Sequence, residues 1–454
     1  MLGGLKRTAQ AMWGKFESRK ELNRFLQLAI IFGLIIGVYW SLRTMKDSIF
    51  NAIVGGKDWL WSAKIFSLVV NVPLVIIYSK LTDIFPRHKF FCFLTAFYGI
   101  ATAIFAWAFT TDIGLLNTVA SPDRYIGWAW YAFVESFGSL VVALFWAFTT
   151  DITKPEAGKR GFPLIILFAQ MANIVFPYFM SAKRLGFANS APVVFLCAIL
   201  MFVISLLMLV FIRVTPPEDL VGYPAGNVET AEAAKGEPEG EPGFFEGLKL
   251  LLTEGYLFGI FLIISVYEII VTIIDNHFKV TTFESFAGES HVQDLLANYA
   301  SWTGVVAFLC VLLGINNIQR KMGMTASLLV LPPLVGVAIM MIKFHPENLN
   351  VAFWIMVFSK AVNYALNQPT IKQLYIPTSK DTKYKATAWI ETFGSRASKA
   401  MGSAFAGLRP HLGIAQFLTV SASLSMGFIG IWIVIAMYVA KKYNKAVAED
   451  TVVC

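Results

Sequence analysis

The chain has little of the chemistry that enzymes and metal proteins use. Its 454 residues include only four cysteines and five histidines. Three of the cysteines fall inside apolar runs, where a thiol behaves as a small hydrophobe, and neither residue type recurs at metal-ligand spacing. A Walker loop, a nucleophile elbow and an HxxxxD-type acyltransfer pattern are also missing from the sequence. We therefore predict that the protein is not an enzyme or an ATP-driven pump and needs no cofactor.

Charge is scarce, whereas apolar runs are abundant. Hydrophobic residues make up 57% of the chain, against roughly 45–50% in soluble domains. The apolar residues come in spans of about twenty, separated by charged loops, which is the length that crosses a bilayer. No cleavable signal peptide is expected, since the first 24 residues contain no continuous apolar core. The predicted spans are 25–42, 60–81, 90–111, 125–150, 161–182, 193–214, 256–275, 296–315, 326–343, 351–366, 386–408 and 417–439.

Lysine and arginine crowd alternate loops, and this pattern predicts the orientation in the membrane. The positive-inside rule places the enriched loops and both termini in the cytoplasm, and an even number of spans agrees with that. We expect a multi-pass protein of the bacterial inner membrane. The net charge of +8 is then mostly a topology signal and does not indicate nucleic-acid binding. The enriched segments are the N-terminus, 87–89, 154–160, 320–321, 380–385 and 441–445.

The chain divides near its middle at a polar stretch rich in Pro, Gly and Glu, which is too weakly hydrophobic to fold alone. Six spans precede it and six follow. We therefore predict an all-α integral membrane protein of about twelve transmembrane helices in a 6+6, major-facilitator-like architecture. The predicted parts are an amphipathic cytoplasmic segment (1–24), a first six-helix bundle (25–214), a cytoplasmic acidic linker (215–243), a second bundle (244–441) and a cytoplasmic tail (442–454).

A charged cluster follows the first apolar run. Arg43, Lys46 and Asp47 are spaced so that they share one face of a helix. Charge at membrane depth is expensive and usually faces a protein cavity, so a net cationic cluster there indicates a site for an anion. The alternative is an anchor at the membrane edge, with the basic side chains reaching the headgroups.

Other ionisable and amide side chains lie inside the spans, some of them at helical spacing. Asp275 and Lys279 are four residues apart, at ion-pair spacing, and Arg396 and Lys399 are three apart. A structural ion pair or interhelical hydrogen bond is the alternative for each residue taken singly. As a set they predict a water-filled cavity with a cationic lining, which suits a polyanion such as a phosphate compound. The set is Lys64, Glu135, Asn173, Glu268, Asp275, Lys279, Lys360, Asn363, Arg396 and Lys399.

Short polar motifs are spread from the first span to the eleventh. They are Leu42-Arg43-Thr44-Met45-Lys46-Asp47-Ser48, Lys64, Tyr78-Ser79-Lys80-Leu81, Glu135-Ser136-Phe137-Gly138-Ser139, Leu144-Phe145-Trp146, Asp151-Ile152-Thr153-Lys154, Ala172-Asn173, Asp275 to Lys279, Phe358-Ser359-Lys360-Ala361, Tyr375-Ile376-Pro377 and Gly394-Ser395-Arg396-Ala397-Ser398-Lys399. In spread and order they resemble the nucleotide transporters of obligate intracellular bacteria and plastids, the ATP/ADP translocase family.

The resemblance implies a twelve-span carrier that moves nucleotides by alternating access, as an exchanger. Its expected partners are a nucleotide and the lipid bilayer, with no nucleic acid, and we expect a monomer. The family's pattern assigns phosphate binding to Lys46, Arg43, Arg396 and Lys399, with ribose or base contact at Asn173. The other predicted binding residues are Lys64, Lys279, Lys360 and Asn363. Gating or charge-coupling roles are assigned to Glu135, Asp275, Asp47 and Glu268.

The sequence departs from the exchangers of the family at identifiable points. Asp275 stands where the family usually has Glu. Asn363-Tyr364 and 367–372 (NQPTIK) replace a Lys-Tyr and a Phe-Asp-Pro-x-Lys-Glu pattern. These departures favour members that carry several nucleotides or import them with protons. A symporter for another organic phosphate also fits the same fold and lining.

Overall fold

A computed structural model describes residues 16, 18–216, 220, 244–313, 315, 317–378, 389–390 and 394–453, and the regular secondary structure in this part of the chain is helical. Most of the predicted linker and nearly all of residues 1–17 lie outside the described residues. So does part of the predicted span 386–408, of which only residues 389–390 and 394–408 are described.

The first half of the chain forms six long helices, one for each of the first six predicted spans. Each is apolar enough to cross a membrane. Their bounds are α1 Arg19–Val54, α2 Gly56–Ile84, α3 Arg87–Phe109, α4 Tyr125–Asp151, α5 Pro155–Phe179 and α6 Ala191–Val214.

The second half contains five more helices of this kind, so that eleven candidate spans lie within the described residues. The tenth of these runs through α11, a π-helical turn at Asn363–Asn367 and α12. The helices are α7 Phe244–Thr253, α8 Gly255–Ser285, α9 Glu289–Leu312, α10 Asn317–Phe344, α11 Leu349–Val362, α12 Gln368–Leu374, α13 Ser395–Ala406, α14 Arg409–Leu412 and α15 Ile414–Glu449.

The first helix is longer than the apolar run predicted. We expected the span to end at residue 42, where the charges begin, but α1 continues for twelve residues beyond it to Val54. A hydropathy pattern places the end of a span where charged residues begin. Here Lys46 and Asp47 lie within α1, and their side chains are buried against other parts of the protein. The turn that follows uses Gly55, whose φ of 96° lies in the left-handed region that favours glycine. This lets α2 start immediately afterwards.

The helices group into two compact units. Of the described residues, the first unit takes those within Met1–Gly55, Val69–Pro238 and Gly288–Ser301, and the second takes those within Gly56–Leu68, Glu239–Ala287 and Trp302–Cys454. Thus the beginning of α2 belongs to the second unit and the beginning of α9 belongs to the first. Consecutive bundles 25–214 and 244–441 remain a prediction.

Each unit has one helix that is buried along most of its length. In the first unit α1 packs on α4, α5 and α6, and in the second α8 packs on α11, α13 and α15. Small residues permit the closest approaches: a Cβ on Gly402 of α13 would lie 2.7 Å from the carbonyl oxygen of Ile269 in α8. These central helices also hold six of the thirteen predicted site residues.

Candidate functional site

The first unit brings the two oppositely charged residues of its predicted set into contact. The Lys46 ammonium on α1 donates to the Glu135 carboxylate on α4, and its Nζ lies 3.9 Å from Asp47 Oδ1. It also lies 4.1 Å from the centre of the Tyr131 ring, a cation–π contact. Only 3% of Lys46 is exposed. The membrane-edge anchor is therefore wrong for Lys46, because a snorkelling side chain must reach the headgroups.

Lys46 lies between two carboxylates, those of Asp47 and Glu135. The guanidinium of the half-buried Arg43 lies 4.7 Å from the Trp40 ring centre. A buried ion pair costs desolvation and is retained when its geometry and extra contacts compensate. An anion could therefore bind Lys46 only after these ion pairs separate.

The second unit contains a cluster of lysines around one carboxylate. Asp275 Oδ2 on α8 lies 2.8 Å from Lys64 Nζ on α2 and 3.0 Å from Lys279 Nζ, one turn further along α8. The predicted Asp275–Lys279 spacing is thus confirmed as an ion pair. Lys360 near the end of α11 also interacts electrostatically with this carboxylate. Among the described residues, the cluster therefore gathers three lysines near a single aspartate.

The side chains of this lysine cluster are well shielded. Those of Lys64 and Asp275 are 16% exposed and that of Lys279 is 10% exposed. Clustered positive charge in such a place is costly to desolvate. An anion with several oxygens offsets that cost, and lysines bind phosphate as point charges. The arrangement is suited to a phosphate group.

Lys399 has a different environment from Lys46. Its Nζ lies 3.6 Å from Glu268 Oε1, and its side chain is 53% exposed whereas that of Glu268 is 10% exposed. Arg396 lies three residues earlier on α13 and is half-buried. The structure therefore pairs Glu268 with Lys399 and leaves Asp275 to Lys64 and Lys279.

The predicted amides are buried. Asn173 on α5 is 8% exposed, and its Oδ1 accepts no hydrogen bond from any residue that the structure describes. Asn363 and Asn367 bracket the π-helical turn, where Asn367 Nδ2 donates to Asn363 Oδ1 at 2.9 Å. A π-turn often marks a functional position in a helix. Within this turn the two amides therefore bind each other.

Sequence reasoning missed two polar groups near helix ends. In the second unit Glu284 lies between Lys57 and Arg409. In the first unit Glu289 and Gln293 of α9 are buried by hydrogen bonds to the chain at Ser48 and around 180–190. Glu284, Glu289 and Gln293 lie in the predicted loop between spans 256–275 and 296–315. The i, i+4 spacing of Glu289 and Gln293 was the available signal.

Solved transporter structures share this fold. A bacterial homologue of the iron transporter ferroportin, in an inward-facing state, matches with a TM-score of 0.65 over 92% of this chain and 99% of its own, at 10% identity. The nucleoside transporter NupG matches with a TM-score of 0.59 over 92% and 98%, at 16% identity. At these identities the likeness shows the fold alone. The chain is an all-helical membrane protein with a major-facilitator-like transporter fold.

Sequence comparison identifies the family within this class. The model of the TLC ATP/ADP transporter family matches residues 5–444. The ADP,ATP carrier protein 1 of Rickettsia bellii is 25% identical over 94% of both chains. The chloroplastic ADP,ATP carrier protein 2 of Arabidopsis thaliana is 22% identical over 94% of this chain and 76% of its own. The chain therefore belongs to the TLC ATP/ADP transporter family, and it is a transporter and not an enzyme.

Proposed function

We propose that the protein carries ATP, ADP or related nucleoside phosphates across a membrane by alternating access, as an exchanger. The observation that carries this proposal is the lysine cluster of the second unit, where Lys64, Lys279 and Lys360 surround Asp275. The names of the relatives, which are ADP,ATP carriers, support the nucleotide as the substrate class.

Charge compensation supports exchange as the transport mode. The shielded cluster gathers three lysines, and burying such charge further during a conformational change is costly. A nucleotide polyphosphate offsets positive charge there, so the loaded carrier meets a smaller barrier. Binding a nucleotide on either side of the membrane then permits the change that an empty site resists.

The candidate residues divide by their surroundings in this proposal. Lys64, Lys279 and Lys360 bind phosphate, while Lys46 and Glu135 form a pair that opens and closes during transport. The Lys399 side chain is half exposed, and Glu268 is its carboxylate partner among the described residues. These surroundings fit a lysine that can move to a phosphate. The remaining predicted residues keep their proposed roles: Arg43, Asn173, Asn363 and Arg396 in binding, and Asp47, Asp275 and Glu268 in coupling.

Net import with protons is a second candidate, and a specific observation favours it. Asp275 compensates part of the charge on Lys64 and Lys279. Protonation or movement of such a carboxylate changes the charge balance of the empty site. The departures at Asn363 and at residues 367–372 fall in the same unit and point the same way.

Membrane placement completes the proposal. The alternation of basic loops supports an inner-membrane protein with both termini in the cytoplasm. We propose that the monomer is the working unit, since each charged cluster is complete within one chain.

Uptake of labelled ATP into liposomes that contain purified protein and internal ADP tests the proposed function. We expect uptake that unlabelled ATP or ADP abolishes and that sugar phosphates leave unchanged. Lys64→Gln removes one cation of the cluster and should raise the KM for ATP at least about ten-fold, the loss expected from a charge-assisted contact.

The matched control is Lys183→Gln, which removes an exposed lysine outside the described clusters and should leave uptake unchanged. Absence of uptake with ATP, GTP, UTP and CTP would contradict the nucleotide assignment. Inhibition by a sugar phosphate but not by nucleotides would identify an organic-phosphate symporter instead.

A further inference from the structure

A second carboxylate lies between two cations at one end of the second unit. Glu284 is the penultimate residue of α8, and Lys57 is the second residue of α2. Lys57 Nζ lies 3.3 Å from Glu284 Oε1, and Arg409 Nη2 lies 3.3 Å from Glu284 Oε2. These three residues, which we call the outer cluster, carry an excess of one positive charge. Nothing in the sequence motifs of the family resemblance includes them.

The outer cluster lines a cavity of about 560 Å³. Two further acids, Asp58 and Glu347, also line it, and both are exposed. Solvent and salt screen the charge of exposed acids much more than that of buried groups. Arg409 is the buried charged residue of this lining, at 8% exposed. Asp58 nevertheless acts on the guanidinium, as Glu284 does, so the case for an anion rests on the hydrogen-bonding of Arg409 and not on the net charge of the lining.

One side of the Arg409 guanidinium has no partner. Nη2 contacts Glu284, whereas Nη1 is buried and has no hydrogen-bond acceptor among the described residues. A buried donor without an acceptor costs free energy, so such groups are usually satisfied by a ligand or water. Burial lowers the pKa of the Arg409 side chain, an effect that Glu284 and Asp58 oppose, but arginine stays charged in proteins. Its planar fork matches phosphate oxygens.

The outer cluster repeats the arrangement around Asp275. In each case a carboxylate on α8 bridges a lysine on α2 and a second cation, with Lys57 in place of Lys64. Asp275 and Glu284 are nine residues apart, which is about 13 Å along a helix axis. The outer cluster is at the helix ends, and the lysine cluster is more than two turns inside. The outer cluster and the lysine cluster thus follow each other along α8 within one unit.

We propose that the outer cluster is a phosphate-binding site, which captures the phosphates of an incoming nucleotide before they reach the lysine cluster. This inference rests on the proposed function. A phosphate oxygen accepts from Arg409 Nη1, and Lys57 contributes long-range attraction that raises the rate of encounter. Free inorganic phosphate has the same chemistry, so the test separates the two sources.

Initial rates of ATP uptake by ADP-loaded liposomes, at low and at high ionic strength, test this site. Arg409→Gln should raise the KM about ten-fold at low ionic strength, since it removes a charge-assisted donor. Lys57→Gln should raise it about two-fold, as expected for an exposed charge, and kcat should stay the same in both. High salt should shrink both differences. Lys183→Gln is the matched control and should show no change in KM.

A KM that is unchanged in Lys57→Gln, which replaces an exposed side chain and should fold normally, would overturn the proposal. A fall in kcat without a salt-sensitive KM in Arg409→Gln would do the same, because it would assign the arginine a purely structural role.

Competition by phosphates identifies the ligand. Tripolyphosphate should inhibit uptake, and both variants should weaken that inhibition, whereas inorganic phosphate should inhibit little. If inorganic phosphate inhibits as strongly as tripolyphosphate, and both variants abolish that inhibition, the assignment to nucleotides would be overturned. If the wild type transports no nucleotide, the proposed function fails by itself. Thermal stabilisation of the purified protein by tripolyphosphate, lost in Arg409→Gln and reduced in Lys57→Gln, then still tests the outer site.

Discussion

Lys46 and Lys399 differ in their surroundings, although each is a lysine inside an apolar run. Lys46 is buried among Glu135, Asp47 and the Tyr131 ring. The Lys399 side chain is half exposed and has Glu268 at 3.6 Å. Composition and spacing do not distinguish the two lysines, because the burial of each one depends on helices that are distant in sequence. A substitution at each position therefore measures a different property.

Replacement of Lys46 should affect stability as well as transport. Lys46→Ala removes the buried cation beside Asp47, whose side chain is 4% exposed. Removing one partner of a buried ion pair costs on the order of 3 kcal/mol. We expect a lower midpoint of thermal unfolding for the purified protein, together with loss of ATP uptake.

The double variant Lys46→Ala/Asp47→Asn separates these two effects. It removes both buried charges, so the unfolding midpoint should recover much of its loss while transport stays absent. Recovery of transport along with stability would contradict a role for Lys46 in transport. Equal stability of the single variant and the wild type would contradict the burial argument.

Replacement of Asp275 should make the protein depend on its ligand. Asp275→Asn takes away the carboxylate between Lys64 and Lys279, which leaves three lysines without their shared acid. The unloaded protein should unfold at a lower temperature than the wild type. ATP should then raise the midpoint by more than it does in the wild type, because a ligand that binds only the folded state adds stability.

Thermal unfolding with and without ATP measures this difference. Asp112→Asn, at an exposed position, is the control and should match the wild type in both conditions. A smaller ATP-dependent shift in Asp275→Asn than in the wild type would show that the lysine cluster does not bind the phosphates.

At the level of helices, α13 approaches α8 through a glycine. A methyl group on Gly402 would meet the Ile269 carbonyl at 2.7 Å and Thr272 Cβ at 3.0 Å. Overpacking of this kind usually costs about 1–3 kcal/mol. Gly402→Ala should therefore lower the unfolding midpoint. Gly427→Ala on α15 has open space around its Cβ, and the gain in helix propensity there should leave stability unchanged or slightly higher.

The start of α9 is attached by hydrogen bonds and not only by apolar packing. Gln293 is fully buried; its Oε1 accepts from Ala182 N at 3.0 Å and its Nε2 donates to the Met180 carbonyl at 3.1 Å. Gln293→Ala leaves two main-chain groups without these partners, at a cost of about 2 kcal/mol. Hydrogen exchange across 288–301 should accelerate, whereas Gln416→Ala, at an exposed position, should leave it unchanged. Unaltered exchange in Gln293→Ala would contradict this attachment.

Helix positions were predictable from the sequence, but several helix ends were not. Apolar runs locate spans because lipid requires them, and eleven of the twelve runs appear as candidate spans within the described residues. The end of α1 at Val54 was missed because charged residues such as Lys46 look like an exit from the membrane. The π-turn at Asn363–Asn367 was also missed, since one extra residue in a helical turn leaves no hydropathy signal.

At the scale of the whole molecule, the two units do not coincide with the two halves of the chain. Six spans on each side of a linker predicted two halves, and no internal repeat was visible. Yet α2 and α9, the second membrane helix of each half, both contribute their first residues (56–68 and 288–301) to the unit of the other half. Side-chain pairs that depend on this, such as Lys64 with Asp275 and Ser48 with Glu289, join residues too far apart in sequence for spacing rules to find.

The lysine cluster leads to an expectation for the mode of transport. Because three clustered lysines are costly to bury without an anion, the return of an empty carrier should be slower than that of a loaded one. ATP uptake into ADP-loaded liposomes should then exceed uptake into empty ones at least about ten-fold, which corresponds to a barrier difference of only about 1.4 kcal/mol.

An inward proton gradient distinguishes the two transport modes. If the protein exchanges nucleotides, the gradient should leave uptake into empty liposomes near zero. If Asp275 can accept a proton and rebalance the empty site, the gradient should raise that uptake, and Asp275→Asn should abolish the increase. Because the same carboxylate bridges Lys64 and Lys279, the choice between exchange and net import depends on how firmly the two lysines hold Asp275 ionised. Proton-driven uptake into empty liposomes would therefore overturn exchange and leave the lysine cluster as the phosphate site.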